Sequence, residues 1–195
     1  MAHYFTNNSN LPSEPKEVKV DINNQSYSFL TDNGVFSKKG LDFGTRSLLE
    51  SIPLERLEGK ILDFGCGYGP IGIYLGKNTK IRVDMIDVNE RSIALAKKNA
   101  LLNKVDVNVF ASDIYSNINE KYNFIVTNPP IRIGKKILYQ ILFEAKNHLV
   151  SGGELWLVIN KDQGAKSLVK DLEQEYSVQI IDKIKGFYII CARNN

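Results

Sequence analysis

The sequence predicts an α/β fold: a doubly wound, mostly parallel seven-stranded sheet with a terminal antiparallel hairpin and a small N-terminal β-hairpin-and-helix extension. Three observations carry that prediction. From residue 60 onward, short β-rich runs alternate with helical periodicity, which calls for crossover connections and so for parallel strands. A glycine cluster, Gly65 to Gly69, stands between the first strand and the first helix of that series. Two β-rich runs joined by Lys185-Gly186 close the chain, so the last pair is antiparallel.

Residues 1–16 are polar and carry Pro12 and Pro15, the pattern of a loose terminus. From Glu17 to Thr31 apolar and polar residues alternate around Asn23-Asn24, which predicts a hairpin. Leu41 to Ile52 has helical spacing and stops at Pro53. Residues 17–59 therefore form an extension ahead of a core at 60–195, and 1–195 is expected to be one domain. In the core, strands are expected at 60–64, 81–86, 105–110, 122–126 and 154–159, then 178–184 and 187–192. Helices are expected at 70–77, 89–103, 135–149 and 163–176, with Gly152-Gly153 stopping the third.

Of 195 residues, 25 are Lys or Arg and 22 Asp or Glu, a formal charge of +3, and 43% are hydrophobic. That hydrophobic share excludes a disordered chain, and the near balance of charge permits a nucleic-acid partner without demanding one. Cys66 and Cys191 lie far apart with only His3 and His148 beside them, so no metal site or disulfide framework is expected. The N-terminal residues lack the apolar core of a signal peptide, and Asn7-Asn8-Ser9 carries no weight as a glycosylation triplet without export. No apolar run approaches the roughly 20 residues that span a bilayer. A soluble, cytoplasmic protein with no membrane partner is expected.

Asp63-Phe64-Gly65-Cys66-Gly67-Tyr68-Gly69 ends a strand and opens a helix, where glycines permit a sharp turn and let a ligand lie against bare backbone. Gly67, Gly69 and Gly72 also satisfy the dinucleotide pattern. Asp87, followed by Val88, falls twenty residues after Gly67, where an acid would hold ribose hydroxyls. A nicotinamide enzyme stays open at this point. Asp63, inside the strand, is placed to help hold a ligand's amino group, and Asp113 follows the third strand. Asp63, Asp87 and Asp113 would ring one cleft, which repels a pyrophosphate and tolerates a cation. S-adenosyl-L-methionine, with a sulfonium, an ammonium, one carboxylate and no phosphate, suits such a cleft. The structural alternatives are a buried hydrogen-bonding role for Asp63 and a helix cap for Asp113.

Asn128-Pro129-Pro130 ends the fourth strand, opposite the glycine loop in a doubly wound sheet. Exocyclic and amide nitrogens are poor nucleophiles because the lone pair is delocalised. An Asn oxygen and a backbone carbonyl that each accept one N–H aim that lone pair at an electrophilic methyl and favour pyramidalisation. The prolines stiffen the backbone so that the carbonyl is preset. The alternative is a Pro-rich turn in which Asn128 merely caps the strand.

Together these residues resemble the class I S-adenosylmethionine-dependent methyltransferases. Gly34-Val35-Phe36-Ser37 followed by Gly40-Leu41-Asp42 and Gly44 is similar to the catalytic domain of the small-subunit ribosomal RNA guanine-N2 methyltransferases, the C-type enzymes, over approximately residues 17–193. The resemblance implies a seven-stranded sheet with its last strand inserted antiparallel. It implies that Gly65, Gly67 and Gly69 form the cofactor loop, that Asp87 and Val88 hold the ribose end, and that Asp113 faces the adenine amine. Asn128 and Pro129 would hold the target amine. Phe36, Ser37, Lys38, Pro130, Ile131, Arg132 and Lys135 would meet the substrate, a ribosomal RNA or small ribosomal subunit. Longer family members carry a duplicated, non-catalytic domain that this sequence is expected to lack, so target recognition falls to the domain itself, a homodimer partner or another RNA. The motif is often followed by Phe or Tyr, whereas here Ile131 follows, and Phe36 is the substitute ring.

Lys136, Lys39 and Arg46 add positive charge to the two suspected lips and read equally as solvated helix starts. Tyr68, Tyr74, Phe143 and Trp156 are expected in the core or the cleft walls, Cys66 in packing, and His148 at the surface or in a cap. Glutamine-amide transfer, adenine-N6 transfer and a non-catalytic RNA module remain as rivals, since the motif accepts any planar NH₂.

Overall fold

A computed structural model describes residues 11–195; His3, the triplet Asn7-Asn8-Ser9 and most of the polar terminus lie outside the described residues. Two strands, β1 (Lys16–Ile22) and β2 (Gln25–Thr31), form the antiparallel hairpin, and Asn23 and Asn24 both take positive φ at its turn. Helix α1 (Phe43–Ser51) begins one residue after Asp42, whose carboxylate accepts the Thr45 N–H. Then come β3 (Ile61–Phe64), α2 (Pro70–Thr79), β4 (Val83–Asp87), α3 (Glu90–Leu102), β5 (Asn108–Ala111) and β6 (Tyr122–Thr127). The remainder is α4 (Lys135–Glu144), β7 (Leu149–Asn160), α5 (Ala165–Leu172), β8 (Ser177–Ile184) and β9 (Phe187–Arg193).

The seven-stranded sheet has the order β5-β4-β3-β6-β7-β9-β8. Strands β3 to β7 pair in parallel, and β9 enters antiparallel between β7 and β8, as the family resemblance implied. One apolar layer packs α1, α2, α3 and the hairpin on one face, and a second packs α4 and α5 on the other. The hairpin is fastened by α3. Asn99 and Asn103, one helical turn apart, exchange hydrogen bonds with the main chains of Leu30 and Ser28, so helix side chains pair with the free edge of β2. Among the described residues no helix is long and apolar enough to cross a membrane.

Three elements depart from the sequence reading. Gly152-Gly153 does not end a helix: α4 stops at Glu144, Ala145–His148 tightens into a 3₁₀ turn, and both glycines lie within β7. There the pairing jumps from Tyr122–Leu149 to Phe124–Glu154, while the Gly152 N–H and the Gly153 carbonyl bond to Asn194. The third core strand starts at Asn108 rather than 105, because Val105 and Val107 pack over Gly76 on α2. Helix α5 is shorter than expected, preceded by a 3₁₀ turn at Lys161–Gln163.

Candidate active site

Strands β3 and β6 are adjacent and parallel, with Asp63 opposite Val126, so the glycine loop and Asn128 leave the sheet at one edge. This is where the strand order reverses, the usual crevice for ligands in open α/β sheets. Thr127 Oγ1 donates to the Phe64 carbonyl at 2.9 Å and ties the two exits together. Both open onto a cavity of about 890 Å³. Gly65, Gly67, Asp87, Val88 and Asp113 form one part of its wall, and Asn128, Pro129, Pro130, Ile131 and Arg132 another. Phe36, 38% exposed, and Ser37 complete it from the segment after the hairpin.

The glycine loop is shaped for bare-backbone contact. Gly65 and Gly67 have φ of 69° and 56°, and a Cβ at either would meet nothing within 4 Å, since it would enter the cavity. The Gly67 N–H donates to Asp87 Oδ2 at 2.9 Å and the Asn89 N–H to Oδ1 at 2.8 Å, which fixes that carboxylate at the end of β4. Burial pushes the Asp87 carboxyl above its ordinary value, and these N–H donors oppose the rise. Cys66 is buried and its thiol is pushed well up by burial, with Asp63 and Asp87 adding to the effect, so it packs rather than reacts.

Several expected site residues are elsewhere. Asp63 is fully buried below the loop: its Oδ2 accepts the Gly72 N–H at 2.8 Å, and Oδ1 has no partner among the described residues. It shares a pleat face with Ile61 and points toward α2, so the ring of three carboxylates reduces to Asp87 and Asp113. Gly69 is off the wall too; a Cβ there would strike Ile73 at 2.9 Å, so its bareness serves helix packing. Lys38 turns away to Asn33 Oδ1 at 3.0 Å, and the Lys135 ammonium sits 4.7 Å from the centre of the Tyr139 ring. Arg46 bonds the Asp21 carbonyl in the hairpin, and Lys39 and Lys136 also lie off the wall. His148 is half-buried and stacked 4.4 Å from Tyr115 rather than free at the surface.

Asp63 has a measurable consequence for stability. Burial raises its carboxyl pKa to about 8, the Gly72 N–H opposing the rise and the Asp87 charge adding to it. The folded protein then keeps a proton that the unfolded chain has released, so stability falls as pH rises from the ordinary carboxylate range to about 8. Asp63→Asn retains an acceptor for Gly72 and removes the titration. Its melting temperature, followed by circular dichroism from about pH 5 to about pH 9, is expected to vary less than that of the wild type; parallel curves would refute this assignment.

Other residues enter the site that the sequence did not single out. The Asn128 amide nitrogen lies 2.9 Å from Thr45 Oγ1 and 3.3 Å from Asp42 Oδ1, both at the start of α1. Phe43 and Phe187 meet at a tilt of 50° with ring centres 5.7 Å apart and both line the cavity, with the Lys185 ammonium 4.9 Å from the centre of the Phe43 ring. Asp42 and Gly44 did belong to a recognised segment, but nothing local marks Phe187, which only the antiparallel insertion of β9 delivers. Tyr68, expected in the core or the cleft walls, lines the cavity with its hydroxyl buried and unpartnered among the described residues. Burial, with the Asp42 charge adding, pushes that hydroxyl well up, so it is available as a donor. No cluster of metal-ligating side chains exists among the described residues.

The methyltransferase small domain family matches residues 26–191. A protein of Bacillus subtilis (strain 168), Uncharacterized protein YbxB, is 43% identical over 196 residues, 98% of this chain and 98% of its own. The ribosomal RNA small subunit methyltransferase C of Psychromonas ingrahamii is 38% identical over 151 residues, 75% of this chain and 43% of its own length, so this chain spans less than half of that relative. Among solved structures, the T. thermophilus 16S rRNA N2 G1207 methyltransferase (RsmC), in complex with AdoMet and guanosine, superposes with a TM-score of 0.85 at 25% identity. That match covers 95% of this chain and 52% of the other.

Proposed function

The chain belongs to the methyltransferase small domain family, and from that premise we propose that it transfers a methyl group to the exocyclic N2 amine of a guanine in small-subunit ribosomal RNA. The methyl donor is S-adenosyl-L-methionine. The cavity fits it: bare backbone at Gly65 and Gly67, a fixed acceptor pair at Asp87 and an unpartnered donor at Tyr68. When bound, that cofactor supplies an electrophilic methyl on a sulfonium.

The chain's own residues act by positioning. Asn128 Oδ1 accepts one N–H of the target amine and the Pro129 carbonyl the other, so the nitrogen lone pair is turned toward the donor. Neither group is a strong base, and the proton leaves after transfer. The Ile133 N–H bonds the Pro130 carbonyl at 3.3 Å, closing the turn that holds the motif rigid. In place of the aromatic residue absent at Ile131, Phe43 and Phe187, with Phe36 at the mouth, offer ring surface on which a base can stack, an interaction worth about 1–3 kcal/mol per base. Exposed Arg132 and the nearby Lys185 take flanking phosphates.

One observation carries this reading: Asn128 shares a cavity with the bare glycines. The β1–β2 hairpin supports an RNA target over a glutamine amide, for which a helical N-terminal domain is usual. The test is transfer of label from S-adenosylmethionine to small subunits and naked ribosomal RNA isolated from a deletion strain, followed by nucleoside mass spectrometry. N2-methylguanosine is the expected product. Label in N6-methyladenosine or in glutamine reassigns the target, and no label in any of them removes the catalytic reading.

A further inference from the structure

We propose that Asp42 and Thr45 are positioning residues that fix which side of the Asn128 amide faces the cavity. The inference rests on the functional reading above for its consequence, but its geometry stands alone. Asn128 Nδ2 lies 2.9 Å from Thr45 Oγ1, and 3.3 and 3.5 Å from the two carboxylate oxygens of Asp42, 86 positions away in the chain. Thr45 has one hydroxyl hydrogen, and it goes to Asp42 Oδ2. Its oxygen can therefore only accept from Asn128, and the Asp42 carboxylate can only accept as well. Both partners demand a donor. A flipped amide would set its oxygen against two acceptors, so the orientation is decided by chemistry and not by shape.

The amide nitrogen is thus engaged on the α1 side, and Oδ1 is left as the acceptor for the target amine. Asp42 cannot swing away, because its Oδ1 also accepts the Thr45 N–H at 3.0 Å as the cap of α1. Hydrogen bonds donated to a carboxylate also draw negative charge onto the amide oxygen, and so strengthen its hold on an amine that gains positive charge during methylation.

Asp42→Asn separates this role from folding, because Asn caps a helix as well as Asp does. With its Oδ1 kept on the Thr45 N–H, its NH₂ replaces Oδ2, the acceptor of the Thr45 hydroxyl; that hydroxyl is then free to donate to Asn128, so the orientation of Asn128 is no longer enforced. The expected result is a fall of about 10- to 100-fold in kcat, with the KM for S-adenosylmethionine and the melting temperature nearly unchanged. Thr45→Val is expected to lower kcat in the same way, and Thr45→Ser, which restores the hydroxyl, to recover it. In the protein without substrate, the Asn128 side-chain NH₂ signals in the nitrogen–proton NMR spectrum should be protected from exchange and should lose that protection in Asp42→Asn. Retained protection, or a kcat within about twofold of wild type, overturns the proposal. Protection lost as expected in a protein that methylates nothing would support the clamp and reject the function assigned to it.

Discussion

Asn128→Ala is expected to lower turnover by about 10²- to 10³-fold, the loss of about 2.7–4 kcal/mol that follows removal of one preorganised polar group aimed at a reacting centre. The affinity for S-adenosylmethionine should stay within about twofold, because the cofactor end of the cavity is built from the glycine loop and Asp87, on β3 and β4, and Asn128 follows β6. Folding should suffer little. The amide hydrogen bonds that the substitution removes end on Asp42 and Thr45, which keep each other as partners through the Thr45 N–H and hydroxyl bonds to the Asp42 carboxylate. Single-turnover kinetics on the RNA identified by labelling, with calorimetry for the cofactor, separate the two effects. Wild-type turnover in the variant would remove the mechanism altogether.

The second large effect lies at the glycine loop. Gly65→Ala and Gly67→Ala together are expected to weaken S-adenosylmethionine binding by about 100-fold or more, each methyl occupying space that a ligand would otherwise fill. The protein itself has room for both, since neither Cβ meets a neighbour within 4 Å. What the folded state loses is conformational: φ of 69° and 56° costs a residue with a Cβ about 1–2 kcal/mol each, a drop of several degrees in melting temperature but not unfolding. Calorimetric titration alongside a thermal melt reads both quantities. Unimpaired binding in a folded double variant would mean the ligand does not lie on this loop.

Much of the fold was legible because its signals are local. The turn at Asn23-Asn24 follows from two residues that tolerate positive φ. The alternation of strand and helix follows from periodicities that each segment carries within itself. Where two local readings competed, the reading that ignored long-range pairing failed. Gly152-Gly153 looks like a helix stop in isolation, yet Asn194, brought alongside by β9, bonds both glycines and holds them in a bulged strand. Val105 and Val107 look like a strand, yet they are spent covering Gly76.

The chemistry divides along the same line. The sequence by itself determined the bare glycines, the acid that ends β4 and an asparagine stiffened by two prolines at a strand end, because each depends on residues adjacent in the chain. Only the tertiary structure decided that Asp63 sits beneath the loop while Asp87 faces the cavity, since pleat parity and strand length set the direction of a side chain. It alone turned Lys38 and Lys135 away, set Phe187 against Phe43, and brought Asp42 to Asn128. Contacts between residues so far apart in the chain exist only once the sheet order has formed, and no short stretch of sequence specifies that order.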